Sequence, residues 1–314
     1  MNKTQTQQDI TLTKIYGGDI IVKFYEKSHQ YWISTDGGKK FNRATGTTSY
    51  LNIKDKSRPL GMWQQQVTAE FLLDCIAKGI AIDEDKAIEA AIQNDIQKEK
   101  AADIGKEIHA WCEAFIRHEL KQPGFEKLPD MPDFKEGVTG VNAFLDWRAK
   151  HNVKFLSTER VVYSKKHEYI GTMDLEAIID GVHCIGDFKS SNGLYNGVRM
   201  QTAAYLKADT EEREYSKDKK FKGYGGRWAI RLSKYSEEEY MRKENLKKLV
   251  KQAIARIKGQ ESKDYPIKPY QVFEAVFLDK EPGMLDADYS AFKHCIALSE
   301  WDKATDPYTR GSLE

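Results

Sequence analysis

Three side chains of one short stretch, Asp174, Asp187 and Lys189, are of the types that hold and use a divalent cation. Carboxylate oxygens are hard ligands for such ions. A nearby ammonium can orient a water and neutralise charge that develops in a reaction. Spacing matters as much as type. Gly171–Ile179 and Val182–Lys189 read as strands flanking Asp180-Gly181, and Asp-Gly is a strong signal for a two-residue hairpin turn. That turn pairs Ile179 with Val182 and carries Asp174 directly opposite Asp187, with Cβ atoms about 4.5–5.5 Å apart. Strand alternation adds Lys189 and Glu176 to the same face. The other face reads Met173, Leu175, Ala177, Ile179 and Val182, Cys184, Gly186, Phe188, which is apolar and is the expected core side. Like charges facing each other destabilise a sheet. The pair therefore calls for a proton, a cation or open solvent. A bound metal answers that need; so does a solvated charged face on an ordinary hairpin, with Lys189 offsetting part of the repulsion. A three-residue turn would shift the register and remove the opposition. Five other acid-x-Lys triplets occur, Glu119/Lys121 and Asp133/Lys135 among them, but none follows a second strand with an opposed acid.

The hairpin needs elements to position it. Residues 1–14 read as frayed, and 19–33 as two short strands before an Asp36-Gly37-Gly38 turn. Pro59 opens a helix with Trp63, Val67, Phe71 and Ile76 at helical spacing. Asp83 caps a second helical stretch. Ile104, Ile108, Cys112 and Phe115 mark a third, to Leu120. After a Pro-rich loop, Val138, Val141, Phe144 and Leu145 mark a fourth. Thr158–Tyr163 is a strand before the hairpin. A helix is expected over roughly 195–208, a strand over Arg227–Ser233, and a long helix from a Ser236/Glu239 capping box to about Lys258. Leu246, Val250, Ala253 and Ile257 are its expected inward face. A strand at 271–278 and a helix over Asp286–Asp302 complete the chain. The central order is helix, three antiparallel strands, helix, strand: an α+β (mixed α/β) architecture. The expected divisions are a β-rich segment at 1–58, a core with a helical insert at 59–265, and a strand and helix at 266–314.

Composition narrows the function classes. The 314 residues carry 49 Lys+Arg and 48 Asp+Glu, a formal net charge of +1, which excludes a wholly basic nucleic-acid coat but not a local basic patch. Apolar residues at 40% suffice for a core. No run suggests a membrane span, and the polar start has no apolar segment of a secretory signal, so a reducing cytoplasm is the expected home. Cys75, Cys112, Cys184 and Cys295 are too scattered for a CxxC-type ligand pair.

Glu159 in a strand, Gly171-Thr-Met-Asp174, Asp187-Phe-Lys189 and Gln201-Thr-Ala-Ala-Tyr205 resemble the successive motifs of the PD-(D/E)xK nuclease superfamily. Gly105-Lys-Glu-Ile-His109 on the preceding helix is similar to its RecB-like branch. The resemblance covers about residues 104–233. The segments His29-x-Tyr31, Thr47-Thr-Ser49 and Pro59-Leu-x-x-Trp63 look like phage-encoded members. Met173 stands where the superfamily name has Pro. Iron–sulfur members of the branch use three late cysteines; only Cys295 follows the core here, so no such cluster is expected.

The resemblance implies a restriction-endonuclease-like αβββαβ core and a Mg²⁺- or Mn²⁺-dependent deoxyribonuclease, more an exonuclease on linear DNA than an endonuclease. It implies that Asp174, Asp187 and the Phe188 carbonyl bind the metal, with His109 as a nitrogen ligand. Lys189 would orient or activate the attacking water, leaving a 5′ phosphate. Glu159 is a second acidic ligand or an exposed strand carboxylate. Gln201 and Tyr205, one turn apart, lie beside the site or form a helix surface pair, and Glu113 supports the site or faces water. Lys217–Lys234 holds seven basic residues and one acid with interleaved aromatics; Lys219, Lys220, Lys222, Tyr224 and Arg227 are the expected DNA contacts there. Lys243, Lys247 and Lys251 read as a solvent-facing stripe. DNA is the expected partner, and any unwinding or annealing would come from a helicase or single-strand annealing protein, since no GxxxxGK[ST] is present. The alternatives are an inactive DNA-binding or assembly protein on the same scaffold, and a phosphoesterase for small molecules.

Overall fold

The Asp180-Gly181 turn sets the centre of the molecule. In a computed structural model, which describes residues 10–261 and 266–305, both residues take positive φ (51° and 85°), as a type I′ hairpin turn requires. In chain order the elements are β1 (Ile10–Ile15), β2 (Ile20–Tyr25), β3 (Gln30–Ser34), β4 (Asn42–Gly46), α1 (Thr47–Leu51), α2 (Ser57–Ala77), α3 (Glu84–Glu119), α4 (Lys135–Lys150), β5 (Val153–Ser164), β6 (Tyr169–Ile179), β7 (Val182–Lys189), α5 (Gly197–Tyr215), β8 (Gly226–Leu232), α6 (Glu237–Ile257), β9 (Phe273–Phe277) and α7 (Met284–Thr305). The fold is mixed α+β, and its described strands form one nine-stranded sheet. The expected order is present as α4, the antiparallel β5–β6–β7, α5, and β8 parallel to β7. β4 joins β6 in parallel through Thr45 and Gly46, and β9 closes the other edge on β8, so both terminal segments extend the central sheet.

Helices cover both faces of that sheet. Leu175, Ala177, Ile179, Cys184 and Phe188 pack under α3 and α4 with Ile108, Phe144 and Trp147. Met173 and Ile185 pack on the opposite side with Tyr205 of α5 and Phe292 of α7. Of the alternatives for the acids, a solvated face is not what is found, since Asp187 is fully buried; and, against expectation, Met173 does not share the Leu175 side. The alternation breaks where Glu159, between the Thr158–Leu175 and Arg160–Met173 pairs of the β5–β6 ladder, takes a left-handed φ of 49°. A left-handed residue inside a strand bends it and re-aims its neighbours.

Other differences have local causes. The two helices expected after Asp83 are one continuous α3, because Gln97–Asp103 is rich in helix formers and contains no breaker. Asp83 does cap it, accepting from Lys86 N at 2.9 Å. Helix α5 runs on to Tyr215 because Asp209, Glu212 and Arg213 are held by tertiary ion pairs. Residues 10–14 are not frayed but paired with β2; residues 1–9 lie outside the described part. Ser236 caps α6 as expected, but Ile257 is 82% exposed, because only the middle of that helix, at Leu246, reaches the core. No described helix is long and apolar enough to cross a membrane.

Candidate active site

The two-residue turn dictates the pairs from Ile179–Val182 to Leu175–Gly186, and the structure keeps them. The ladder then stops, one step short of the acids. Where an Asp174–Asp187 backbone pair was expected, Phe188 N–H instead donates to Asp174 Oδ2 at 2.8 Å. The strands part and a carboxylate takes the place of a carbonyl. On its other side β7 stays paired, Asp187 with Ala229 of β8. Asp187 is therefore fully buried, while the Asp174 side chain keeps 14% exposure.

Asp187 is the least satisfied group in the neighbourhood. Oδ1 of its buried carboxylate has no hydrogen-bond partner among the described residues, and Oδ2 is met by a close charge-assisted contact with Lys189 Nζ. Burial, with the Asp174 charge adding to it and Lys189 opposing, raises its pKa to about 7. Burial lowers that of Lys189, but Asp187 and Asp174 outweigh this and hold the ammonium above its ordinary range.

Helix α3 delivers His109. It approaches closely because Gly105 lies against the segment that leaves β7: a Cβ there would sit 2.8 Å from Ser190 Oγ. His109 Nδ1 is 3.6 Å from Asp174 Oδ2, and the ring hydrogen-bonds the Phe188 main chain. Burial keeps the imidazole pKa below its ordinary value, against the Asp174 charge and with help from Lys189. The neutral ring is the form that can bind a cation.

Glu159 joins the cluster from the bent point of β5. Burial raises its pKa to about 9, with Asp174 and Glu113 adding to it and Arg117 opposing. Glu113 itself is bound by Arg117 at 2.7 Å. A carboxyl on a left-handed strand residue, facing other acids, is a costly arrangement of the kind found at functional sites.

Helix α5 roofs the site. Gln201 Nε2 donates to Tyr205 OH at 2.9 Å, and the buried Tyr205 ring lies on Gly171, where a Cβ would meet its Cε1 at 2.4 Å. Burial, then Asp187 and Asp174, push its phenol well up. The sequence reading gave no role to Tyr31 of β3. Its hydroxyl bonds Thr172 Oγ1 at 2.8 Å, and burial raises its pKa to about 12, with Glu159 and Asp174 contributing. The His29-x-Tyr31 pair was the available signal, but only the β4–β6 contact brings β3 to the acids.

The basic segment is placed otherwise than expected. It enters β8 at the turn end of the hairpin, where Gly225 N donates to His183 O at 2.7 Å. Four residues of strand, roughly 13 Å, separate His183 from Asp187. Lys219, Lys220 and Lys222 are exposed there. Tyr224 is not free to stack on a base: its ring packs on His183 and Phe221, and its hydroxyl is bound to Asp209. Arg227 is not a DNA contact either. It is fully buried, with Asp279, Asp288 and the Arg199 carbonyl taking its donors, because an inward position on a covered strand forces a guanidinium to find internal acceptors.

No protein-family model matches the chain, and no curated protein matches it.

As placed, no three His, Cys, Asp or Glu side chains among the described residues are gathered closely enough to hold a metal ion. The donors nevertheless suit one chemically. Asp187 offers a buried, unpartnered Oδ1, Asp174 a second carboxylate, and His109 a neutral nitrogen beside the Phe188 main chain. The Lys189 ammonium stands against Asp187, where positive charge is needed. A set of hard oxygens with one imidazole fits Mg²⁺ or Mn²⁺.

Proposed function

We propose that the chain is a metal-dependent deoxyribonuclease of the PD-(D/E)xK kind, RecB-like, that hydrolyses phosphodiester bonds of linear DNA from its ends and leaves 5′ phosphates. The observation that carries this reading is Asp187: a fully buried carboxylate with one oxygen unpartnered and the other on Lys189, under the charge of Asp174. Two neighbouring acids with one ammonium between them and solvent leave a local negative charge that an incoming cation satisfies.

Asp174, Asp187, His109 and the Phe188 carbonyl would hold that cation, with Glu159 as a further acid. A bound Mg²⁺ or Mn²⁺ supplies polarisation of the phosphoryl oxygen and a water of lowered pKa. Lys189 does the rest from the protein side. Its ammonium is held by Asp187, its side chain keeps 30% exposure, and it can position the water and neutralise charge on the phosphoryl group. Gln201 and Tyr205 fix the roof over the carboxylates. A cytoplasmic setting, in a bacterial or phage-infected cell, and a recombination or repair role beside an annealing protein or helicase belong to the same proposal.

The test is degradation of linear against circular DNA with Mg²⁺ or Mn²⁺. Asp187→Ala and Lys189→Ala are expected to fold and to lose cleavage, Lys189→Ala by roughly 10²–10³-fold or more. Full activity in Lys189→Ala would remove its assigned role. A wild-type chain that binds DNA but cuts neither form would leave a binding protein on a nuclease-like scaffold.

A further inference from the structure

Lys234 follows β8 at the same end of the sheet as the candidate active site. β8 runs parallel to β7 with Arg231 beside Lys189, so Lys234 lies three residues further on, roughly 10 Å along the strand direction. It is only 6% exposed. Its ammonium has no hydrogen bond and no ion pair among the described residues; its described contact is the Tyr235 ring, 5.7 Å away. A lysine held at 6% exposure with no acid on its ammonium is a rare and costly feature.

The charged groups around it make the case stronger. Lys243 of α6 shares the Tyr235 ring at 5.1 Å, and Lys100 of α3 also acts on Lys234. Lys243 is not the solvent-facing residue expected from its helix, since its side chain is 22% exposed. The acids nearby are already engaged. Glu136 is 3.1 Å from Lys100, and Glu70 binds Arg242 at 2.6 Å and Lys243 at 3.4 Å. Burial lowers the Lys234 pKa, as do the charges of Lys243 and Lys100, with Glu136 opposing. Lys234, just past β8, and Lys243 of α6 thus share one ring under the further charge of Lys100, while Glu136 and Glu70 are taken by other cations. Lys100 and His109 share α3 and lie nine residues apart, about 13 Å.

We propose that Lys234, flanked by Lys100 and Lys243, is a phosphate-binding subsite that grips the nucleic-acid backbone a few nucleotides from the reacting phosphate. The inference rests on the nuclease reading for its ligand and supplies that reading with the backbone contact that the 217–227 segment, at the far end of the hairpin, does not give. A backbone phosphate completes the ion pairing that Lys234 lacks among the described residues.

The experiment measures binding of a fluorescein-labelled single-stranded oligonucleotide in EDTA, by anisotropy, over a series of salt concentrations. Lys234→Met, which keeps the buried stem, is expected to weaken binding about five- to tenfold and to reduce the slope of log K against log salt by about 0.7, the value for one phosphate contact. Lys234→Arg restores both. Unchanged affinity and slope in Lys234→Met, with a wild-type melting temperature, overturn the subsite while leaving cleavage by the wild type untouched. If the wild type does not cleave but Lys234→Met loses binding, the nuclease reading falls and the subsite stands. The third arm is inorganic phosphate. Stabilisation of the wild type and not of Lys234→Met, without any effect on oligonucleotide binding, would assign the site to a small anion and overturn the backbone assignment.

Discussion

Asp174 and Glu176 are two residues apart on β6, yet they belong to opposite kinds of site. Glu176 is met by Arg213 through both oxygens at 2.8 Å, by His183 at 2.9 Å and by Ser157 at 2.9 Å. Its neighbour Asp209 is held by Arg160 and Arg213, each at 2.6 Å. Although burial works against it, the Glu176 pKa is driven below its ordinary value, chiefly by Arg213. At the other end of the same hairpin, Asp187 and Glu159 are raised by burial, with the Asp174 charge adding to both; Lys189 relieves the first and Arg117 the second. Burial is similar in the two places; the number of guanidinium donors is not. Arginine forks saturate carboxylates and make a fixed strut. A single ammonium leaves part of the carboxylate charge uncompensated. Burial alone therefore does not separate the two places; the charge that compensates each carboxylate does.

Breaking the strut gives the largest effect. Arg213→Ala leaves Glu176 and Asp209 buried without their fork and is expected to cost about 3–5 kcal/mol, read as the shift of the urea midpoint. Asp187→Asn removes one of two crowded acids and is expected to stay within about 1 kcal/mol of wild type while abolishing DNA cleavage. A reversal of those two stability effects would dissolve the contrast.

The pH dependence sharpens it next. Glu159 and Asp187 have folded-state pKa values of about 9 and about 7, above their ordinary 4.5 and 3.8. Below about pH 4 both are protonated in either state, and their stabilising protons are fully present. Between about 4 and 9 the unfolded chain releases protons that the folded chain retains, so metal-free stability falls as pH rises. Glu159→Gln is expected to flatten the upper part of that fall in urea titrations with EDTA, and Mg²⁺ or Mn²⁺ to reverse it in the wild type. A flat wild-type profile would remove Glu159 from the acid cluster.

Two smaller changes probe how the site is framed. Gly171→Ala forces a methyl into the Tyr205 ring and is expected to cost about 1–3 kcal/mol and to lower cleavage by displacing the roof. An unchanged melting temperature would mean the ring moves freely. Tyr31→Phe deletes only the bond to Thr172, about 1 kcal/mol, and its effect on cleavage should be the least of the set. A loss as large as that of Asp187→Asn would place Tyr31 in the chemistry itself.

Much of the frame was legible in local pattern. Asp180-Gly181 gave the turn and the register, Asp83 and Ser236 gave two helix starts, and period-2 alternation placed Leu175, Ala177 and Phe188 in the core. What misled was also local. Aromatic and basic residues interleaved over 217–235 looked like a nucleic-acid surface, but Tyr224 and Arg227 point inward to acids from α5, α7 and the loop after β9, none of which adjoins them in sequence. Tyr31 lay more than a hundred residues from the acids it faces.

The sequence alone determined the hairpin and the helix caps, because a Cβ-free turn, alternating side chains and capping oxygens act within a few residues. Tertiary structure decided which carboxylates are satisfied and which are left open. Burial and charge compensation depend on what α3, α5 and β3 bring from afar, and electrostatic cost in a low-dielectric interior is set by those neighbours rather than by the residue itself.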